Sequence, residues 1–304
     1  MKRVVITGAT GTVGAALVKE LLSEGATVTA LIRKREREAV LPRHPRLTVW
    51  ECPLSDLAHF TPPCTDMEVF YHLAWAGTSG NGRGDTLLQC ENIHASLAAV
   101  DLAARFGCHT FIGIGSQAEL GRVAGPLHQS TPPFPTTPYG IAKLAASGLT
   151  RLRAEGHGMR HIWVRILSVF GPNDRENSLI SYTIRTLLQG KSPQYTPAKQ
   201  MWDLLYCKDA ARALRLLGER GKHGKSYLLG SGRARPLRDH LAEARDLLAP
   251  HVSLQFGALP YPADQVMHLE ADISDLTRDT GFLPTTPFAE AILETASWWK
   301  SRLK

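Results

Sequence analysis

Short apolar runs alternate with longer amphipathic segments through the first half of the chain. The runs have the length of buried strands and lie at residues 2–6, 27–32, 47–50, 69–73, 110–114 and 162–167. Longer segments carry apolar residues at helical spacing, at residues 12–23, 86–106 and 138–155. Strands that alternate with helices predict a parallel sheet covered by helices on both faces.

The pattern changes after residue 170, where Pro and Gly become frequent. Helical spacing continues at residues 178–189, 209–218, 237–248 and 287–300, with strand-like pieces at 227–229 and 252–256. We therefore predict an α/β fold with a doubly wound, Rossmann-type domain over residues 1–170. Residues 171–304 are predicted to form a smaller α/β domain that mainly binds substrate, with some segments returning to the first domain. Ligands of such sheets bind at the carboxyl ends of the strands.

The first strand runs into the sequence TGATGTVG at residues 7–14. Gly8 permits a tight turn, Gly11 lets the backbone approach a pyrophosphate, and Gly14 lets the following helix pack closely. Free N–H groups at the start of that helix attract phosphate. A strand before the glycines and a helix after them favour a dinucleotide site over an ordinary turn. We assign the phosphate contacts to Gly8, Thr10, Gly11, Thr12, Val13 and Gly14.

The end of the second strand bears on the choice of dinucleotide. An acidic residue there would bind the ribose hydroxyls of NAD, but the chain has Arg33, followed by Lys34 and Arg35. A guanidinium suits a 2′-phosphate through paired hydrogen bonds. We therefore predict NADP(H) as the preferred cofactor, with NAD(H) as the alternative. A solvated basic loop is the other interpretation of this run.

A second chemical pattern follows Pro138. Tyr139 and Lys143 are four residues apart, which places them on one face of a helix. A neighbouring ammonium lowers the pKa of a phenol, so Tyr139 is expected to exchange a proton with a substrate oxygen near neutral pH. Lys143 is also a candidate to hold the cofactor ribose. Ser116 ends the fifth predicted strand, where its hydroxyl is expected either to bind a substrate carbonyl or to cap the next turn.

Composition narrows the class of partner. The net charge of +7 suits an anionic partner, but the basic residues are scattered and no nucleic-acid-binding module is recognisable. The 5 Cys residues are widely spaced without a CxxC motif, which predicts reduced thiols, a cytoplasmic location and no metal site. No apolar run approaches the roughly 18 residues of a membrane span. We expect an anionic small-molecule partner and neither nucleic acid nor membrane.

Further motifs complete a recognisable set: HLA at 72–74, Asn92, Ser116 with Gly121, Tyr139 with Lys143, RILSVFGP at 165–172, Asp203 and Asp209 in WDLLYCKDAA, and ADIS at 271–274. With the glycine turn, these make the chain resemble an extended short-chain dehydrogenase/reductase of the NAD-dependent epimerase/dehydratase family. Within it, GSQAELG at 115–121 and MWDLLYCKDAA at 201–211 resemble the CDP-abequose synthase-like branch, which comprises 4-ketoreductases of deoxy nucleotide sugars.

The resemblance implies a Rossmann domain, a nicotinamide cofactor, a catalytic triad, a nucleotide-sugar substrate and a homodimer. The triad is Ser116, Tyr139 and Lys143. Further cofactor contacts are expected from Leu54, Leu73, Ala74, Trp75, Asn92 and Leu167. Substrate contacts are expected from Gln117, Ser168, Trp202 and Arg83. The glycine-rich loop at residues 77–84, which carries Arg83, is expected either to fold over the substrate and bring Arg83 near a phosphate or to be a flexible surface loop.

Some positions depart from the family pattern. Ser168 stands where the family often has an asparagine that contacts substrate. Trp202 replaces an arginine that commonly helps to bind the diphosphate, and it is expected either to stack on a base or sugar or to fill core. The acidic residue that often follows the third strand is missing from residues 52–54, so backbone groups there are expected to contact the adenine.

One departure bears on the reaction. Family 4,6-dehydratases carry an Asp-Glu pair directly after the triad Ser or Thr, whereas Gln117 and Ala118 follow Ser116 here. Dehydration is therefore not expected. We predict an NADPH-dependent reductase of a 4-keto deoxy nucleotide sugar, in which Tyr139 protonates the oxygen as hydride reaches the carbon. The alternatives are an epimerase with tightly bound NAD(P) and a non-catalytic NADP-binding protein.

Overall fold

The computed structural model describes residues 1–263 and 265–303. Strands in these ranges are β1 (Arg3–Thr7), β2 (Thr27–Ile32), β3 (Leu47–Glu51), β4 (Val69–His72), β5 (Thr110–Ser116), β6 (Arg160–Ile166), β7 (Ser168–Phe170), β8 (Gln194–Tyr195), β9 (Met201–Trp202), β10 (Leu204–Tyr206), β11 (Lys225–Leu229), β12 (Arg235–Pro236), β13 (Gln255–Phe256) and β14 (His268–Leu269). The α-helices are α1 (Thr12–Ser23), α2 (Thr86–Arg105), α3 (Pro138–Gly156), α4 (Leu179–Leu188), α5 (Cys207–Arg220), α6 (Leu237–Leu248), α7 (Ser274–Thr280) and α8 (Phe288–Lys300). Short 3-10 helices lie at Arg35–Val40, Leu54–Asp56, Gly80–Arg83 and Gln117–Glu119.

The central sheet has seven parallel strands in the order β11-β6-β5-β4-β1-β2-β3. This order confirms the predicted doubly wound α/β fold. The chain moves outward in one direction from β1 to β3 and then crosses back to β4, on the other side of β1. Thr7 at the end of β1 therefore lies beside His72 at the end of β4. A crevice at such a reversal is the usual ligand site of this architecture.

Alternate residues of β1 contribute to two separate apolar clusters. Val4 and Ile6 pack with Leu17 of α1 and Leu214 of α5. Val5 packs in the other cluster, whose members include residues of α2. Because successive side chains of a strand point to opposite faces, α1 and α5 cover one face of the sheet and α2 covers the other. The rigid layer between them fixes the strand ends on which the site is built.

The second half of the chain contributes to both parts of the molecule. β11 pairs with β6 in the central sheet, and α5 packs against α1. Buried residues of α4, α6 and α8 form a separate cluster that includes Ile184, Ala244 and Trp299. Parts of the second half thus lie against the first half of the chain, and the predicted domains with their boundary at residue 170 stay predictions. Residues 264 and 304 of the predicted second domain lie outside the described residues.

Some predicted elements differ in extent. The strand expected at 252–256 is reduced to β13 (Gln255–Phe256). The helix α7 was not predicted, and it is only 7 residues long. Across the described ranges, no helix combines the length and apolar character needed to cross a membrane.

Candidate active site

A cavity of about 670 Å³ opens at the carboxyl ends of β1, β4, β5 and β6. Among the predicted site residues, its wall includes Gly8, Gly11, Thr12, Val13, Gly14, Leu73, Trp75, Arg83, Ser116, Gln117, Tyr139, Lys143, Leu167, Ser168 and Trp202. Other predicted residues that the structure describes lie outside that wall, namely Thr10, Arg33, Leu54, Ala74 and Asn92. The fold thus brings the glycine turn, the triad and the four expected substrate contacts to one cavity.

The glycine turn is packed so tightly that side chains would not fit. A Cβ atom at Gly14 would lie 2.1 Å from the Gly8 carbonyl oxygen, and one at Gly8 would lie 2.6 Å from the Ala74 nitrogen. Gly8 also has a φ of +71°. The N-cap of α1 is Gly11, which has no side chain to satisfy the first N–H groups of the helix. This arrangement fits a bound pyrophosphate.

Buried polar groups support the turn from below. Thr7 Oγ1 lies 2.9 Å from His72 Nδ1 and accepts a hydrogen bond from the Ala74 N–H at 3.4 Å. The other ring nitrogen of His72 lies 3.2 Å from Ser96 Oγ of α2. Burial lowers the pKa of His72 to about 3, so this ring is neutral. The network joins β1, β4 and α2 beneath the crevice.

The side-chain amide of Asn92 hydrogen-bonds to the backbone that follows β4. Its Oδ1 accepts from the Ala76 N–H at 2.8 Å, and its Nδ2 donates to the carbonyl oxygens of Ala76 and Leu88 at 2.9 and 3.0 Å. Asn92 and Leu54 line a neighbouring cavity of about 360 Å³. Asn92 thus anchors the segment that carries Trp75 to the main cavity.

Tyr139, the predicted proton donor, lies in the first turn of α3. Thr137 caps this helix by accepting from the Gly140 N–H at 3.1 Å, and Pro138 suits the first helical position. A Cβ at Gly140 would lie 2.4 Å from the Ala118 carbonyl oxygen, so α3 packs directly on the turn after Ser116. Tyr139 is consequently held against the end of β5.

The electrostatic environment of Tyr139 corrects one expectation. Burial raises the pKa of Tyr139, although a hydrogen bond with Ser116 and the positive charges of Arg83 and Arg175 act in the opposite direction. The prediction of a lowered pKa is therefore wrong in direction. Spacing along a helix does not reveal burial, which is the dominant cause here. The phenol is consequently protonated at neutral pH.

The Lys143 ammonium contacts the end of β5 and Trp75 rather than the Tyr139 phenol. Its Nζ donates to the Ile114 carbonyl oxygen at 2.6 Å and lies 3.5 Å from the centroid of the Trp75 ring, but 6.0 Å from the Tyr139 ring. Burial lowers the pKa of Lys143 to about 7. Near neutral pH the side chain therefore exists in both protonation states, which suits a group that passes protons.

Ser116 caps the turn after β5, as one of its two expected roles requires, and it also faces the cavity. Its hydroxyl lines the cavity and accepts from the Ala118 N–H at 3.2 Å. Behind it, Glu119 Oε1 accepts from the Ser116 N–H at 2.8 Å and the Trp163 indole at 3.0 Å. Glu119 Oε2 accepts from Arg165 Nε at 2.8 Å, and the Glu119 side chain is 0 % exposed. This carboxylate is therefore held within the protein rather than presented to substrate.

Charged residues that the sequence did not single out also line the cavity. They are Arg37, Asp174 and Arg175. Arg37 lies in the 3-10 helix after β2, and its Nη2 is 3.4 Å from the Thr10 carbonyl oxygen. Asp174 accepts from Thr12 at 3.5 Å, and burial raises the pKa of Asp174. The basic run after β2 was the available signal for Arg37, whereas Arg33 itself is exposed.

The far wall of the cavity comes from the second half of the chain. Ser168 and Trp202 reach it from β7 and β9. Trp202 also packs against an apolar cluster that includes Leu269, so it both faces the cavity and fills core. The neighbouring Asp203 is buried and accepts N–H groups of residues 231, 232 and 271 at 2.6, 3.1 and 3.2 Å, which fixes the position of β9.

Comparison with known proteins assigns the family. The model of the NAD dependent epimerase/dehydratase family matches residues 4–230. The chain belongs to the NAD-dependent epimerase/dehydratase family. The resemblance predicted from the sequence is therefore confirmed at family level, and the abequose synthase-like branch stays a prediction.

Family members of known name extend the comparison. A dTDP-glucose 4,6-dehydratase of Streptomyces griseus is 23 % identical over 308 residues, which cover 97 % of this chain and 93 % of that protein. The dTDP-glucose 4,6-dehydratase 1 of Escherichia coli K12 is 29 % identical over 187 residues, or 59 % of this chain and 52 % of that protein. The chain thus matches about half the length of this second relative.

Solved structures give the same fold. The UDP-N-acetylglucosamine 4-epimerase from Methanobrevibacter ruminantium M1, in complex with UDP-N-acetylmuramic acid, has a TM-score of 0.89 and 26 % identity, and 99 % of each chain is covered. The dTDP-glucose 4,6-dehydratase DesIV from Streptomyces venezuelae, with NAD bound, has a TM-score of 0.85 at 20 % identity, with 98 % and 97 % covered. The second likeness concerns the fold alone.

Proposed function

We propose that the protein is an NADPH-dependent reductase of a 4-keto deoxy nucleotide sugar. The observation that carries this proposal is the composition of the cavity next to Ser116. Gln117 lines the cavity where the family dehydratases have an acidic residue, and Glu119 is paired with Arg165 behind it. Tyr139 and Ser116 remain available for a reaction that needs one proton donor and one hydrogen-bond donor.

The chain's own residues account for the proton chemistry. A reduced nicotinamide, when bound, supplies the hydride for a carbonyl carbon. Tyr139 stays protonated because burial raises its pKa, so its hydroxyl is ready to donate to the carbonyl oxygen. The Ser116 hydroxyl polarises the same oxygen by hydrogen bonding. Lys143, with a pKa lowered to about 7, holds a proton that it can pass on near neutral pH.

A nucleotide-sugar 4-epimerase with tightly bound NAD(P) is the second candidate. It is favoured by the likeness to the Methanobrevibacter 4-epimerase, at 26 % identity over almost the whole chain. An epimerase regenerates its cofactor in each turnover, whereas a reductase consumes it. A non-catalytic NADP-binding role is less well supported, because Ser116, Tyr139 and Lys143 converge on one cavity.

The proposed substrate class rests on shape and charge. Arg37 and Arg175 line the cavity together with Trp202. Guanidinium groups bind phosphate oxygens through paired hydrogen bonds, so they can compensate for the arginine that Trp202 replaces in the family pattern. The indole of Trp202 offers a flat apolar surface for a sugar or base. We propose that these groups hold a nucleoside diphosphate sugar.

Binding tests the substrate class without turnover. In the presence of NADPH, CDP- and dTDP-sugars are expected to raise the thermal unfolding midpoint of the protein, because they bind only the folded state. The corresponding free sugars serve as controls and are expected to leave the midpoint unchanged. If every nucleotide sugar fails while free sugars or unrelated carbonyl compounds bind, the nucleotide-sugar proposal is wrong.

The cofactor preference gives a separate prediction. We propose that Arg33 binds the 2′-phosphate of NADPH. Arg37, which lies close to the glycine turn, is a second cation near the bound cofactor. Two charge-assisted hydrogen bonds, weakened by solvent at an exposed site, are expected to make NADPH binding roughly 10- to 100-fold tighter than NADH binding. Arg33→Asp is expected to reverse the preference, because a carboxylate repels the phosphate and accepts bonds from ribose hydroxyls.

Titration of both cofactors at fixed ionic strength measures this preference. Arg43→Asp is the matched control, since Arg43 is exposed and precedes β3 at the opposite end of the strands. Arg37→Met separates the contribution of the second arginine. Equal affinities of the unmodified protein for both cofactors, or an Arg33→Asp variant that still prefers NADPH, would contradict the assignment.

The predicted homodimer also has a candidate surface. The side chains of Ile141, Leu149 and Leu152 on α3 are 55 %, 44 % and 58 % exposed. α3 packs beside α2, which exposes Leu87 near its start. We propose that two copies of the chain pair through these faces, which would bury apolar side chains that the single chain leaves in water.

A further inference from the structure

The glycine-rich loop at residues 77–84 is closed by a buried amide. Gln89 Nε2 donates to the carbonyl oxygens of Gly77 and Gly82 at 3.2 and 2.7 Å, while Gln89 Oε1 accepts from the Trp75 indole at 2.8 Å. Gln89 is 1 % exposed. A Cβ at Gly82 would lie 2.6 Å from Gly77 Cα. The two ends of the loop are therefore in direct contact and tied to α2.

This closure determines where the next residue lies. Arg83 follows Gly82 in the 3-10 helix Gly80–Arg83. Its guanidinium carbon is 4.2 Å from the centroid of the Tyr139 ring, which is the geometry of a cation on an aromatic face. The sequence left two expectations for this loop: it folds over the substrate and brings Arg83 near a phosphate, or it is a flexible surface loop. The structure places Arg83 on the phenol of the proposed catalytic residue.

Arg83 lies closer to the Tyr139 ring than Lys143 does. The titratable, charged and polar groups acting on the phenol among the described residues are Arg83, Arg175, Glu119, Ser116 and Lys143. Lys143 Nζ is farther from the ring, at 6.0 Å against 4.2 Å for Arg83. It is also committed to the Ile114 carbonyl. Glu119, which opposes ionisation of the phenol, is paired with Arg165.

We propose that Arg83 is a catalytic residue whose guanidinium stabilises the phenolate left on Tyr139 when the phenol gives its proton to the substrate. This inference rests on the proposed reduction. In that step the Oη–H bond of Tyr139 breaks, an O–H bond forms on the substrate oxygen, and the electron pair stays on Oη. The new negative charge forms on the phenol whose ring lies 4.2 Å from the Arg83 guanidinium carbon, and Arg175 is a second cation that acts on it. Solvent protons then restore the phenol.

The distance sets the expected size of the effect. An opposite charge within about 4–6 Å of an ionisable group changes its pKa by roughly 1–3 units in favour of the charged form. Because the Gln89 contacts already hold the backbone next to Arg83, little free energy is needed to order the loop when Arg83 stabilises the Tyr139 phenolate. Removal of the guanidinium is therefore expected to raise the pKa of Tyr139 by about 1–3 units.

A titration that needs no substrate tests the proposal. Difluorotyrosine is placed at position 139, so that its fluorine atoms bring the titration toward neutral pH and report it by ¹⁹F NMR. Arg83→Met is expected to raise the titration midpoint by about 1–3 units. Arg83→Lys, which keeps the charge, is expected to retain most of the unmodified midpoint. Arg43→Met, at the far end of the strands, is the control and is expected to have no effect.

The outcomes separate this inference from the proposed function, because the titration does not depend on the substrate. An unchanged midpoint in Arg83→Met, or an equal change in Arg43→Met, overturns the catalytic role of Arg83. Once a substrate is known, the pH dependence of kcat adds a second test. If the apparent pKa in the pH profile of kcat is higher for Arg83→Met than for the unmodified protein, the proposal is supported. If Arg83→Met has a higher KM but the same apparent pKa, the proposal is overturned and a phosphate contact of Arg83 is favoured instead.

Discussion

Tyr139→Phe is expected to lower the turnover of the ketone reduction by a factor on the order of 10²–10⁴, as is typical for the loss of a general acid. The substitution removes only the phenolic hydroxyl. The ring keeps its edge-to-face contact with Trp75, at 6.2 Å between centroids, and its place beneath Arg83. The affinity for NADPH is therefore expected to change little.

A second phenylalanine variant makes this prediction specific. Tyr261 has a hydroxyl that accepts from the Lys199 N–H at 2.9 Å and lies 3.1 Å from Gln200 Oε1, outside the cavity wall. Tyr261→Phe is expected to retain full turnover. Single-turnover kinetics at saturating NADPH measure the chemical step in both variants. A Tyr139→Phe protein with unimpaired turnover would remove Tyr139 from the reaction.

Glu119→Ala is expected to lower the free energy of unfolding by about 3–5 kcal/mol, which is the usual cost of removing one partner from a buried ion pair. The substitution leaves the Arg165 guanidinium, whose side chain is only 10 % exposed, without its carboxylate. It also removes the acceptor for the Ser116 N–H and the Trp163 indole. Urea unfolding of both proteins measures the difference.

An exposed ion pair provides the comparison. Asp101 accepts two hydrogen bonds from Arg153, and the two side chains are 33 % and 52 % exposed. Asp101→Ala is expected to cost less than about 1 kcal/mol, because solvent screens such pairs. A loss below about 1 kcal/mol for Glu119→Ala as well would show that Arg165 finds another partner. The carboxylate would then not be the fixed support of Ser116 that we infer.

Much of the fold was predictable because its elements are long and regularly patterned. The predicted helices at 12–23 and 237–248 coincide with α1 and α6, and seven predicted runs, the piece at 227–229 included, became the strands of the central sheet. The elements that escaped prediction are short. α7 has 7 residues, and β9, β12 and β14 have 2 residues each. Tertiary packing rather than local pattern determines such pieces.

It was also predictable, for a different reason, that Ser116 and Tyr139 would lie close to the glycine turn. Carboxyl ends of parallel strands share one edge of a sheet, so motifs that follow separate strands come together. The places of Arg37 and Arg175 depend on how loops fold back, which no periodicity encodes. The direction of the Tyr139 pKa was likewise hidden, because burial of the ring results from packing of α3 on the end of β5.

The most direct test of the proposed function is a product analysis that measures the sugar product and the cofactor in the same reaction. The protein is incubated with NADPH and a CDP- or dTDP-activated 4-keto-6-deoxyhexose, and sugar and cofactor are quantified together by NMR and mass spectrometry. We expect one NADPH to be oxidised for each ketone that becomes a secondary alcohol, two mass units heavier. Formation of an epimerised or dehydrated sugar without net consumption of NADPH would contradict the assignment as a reductase.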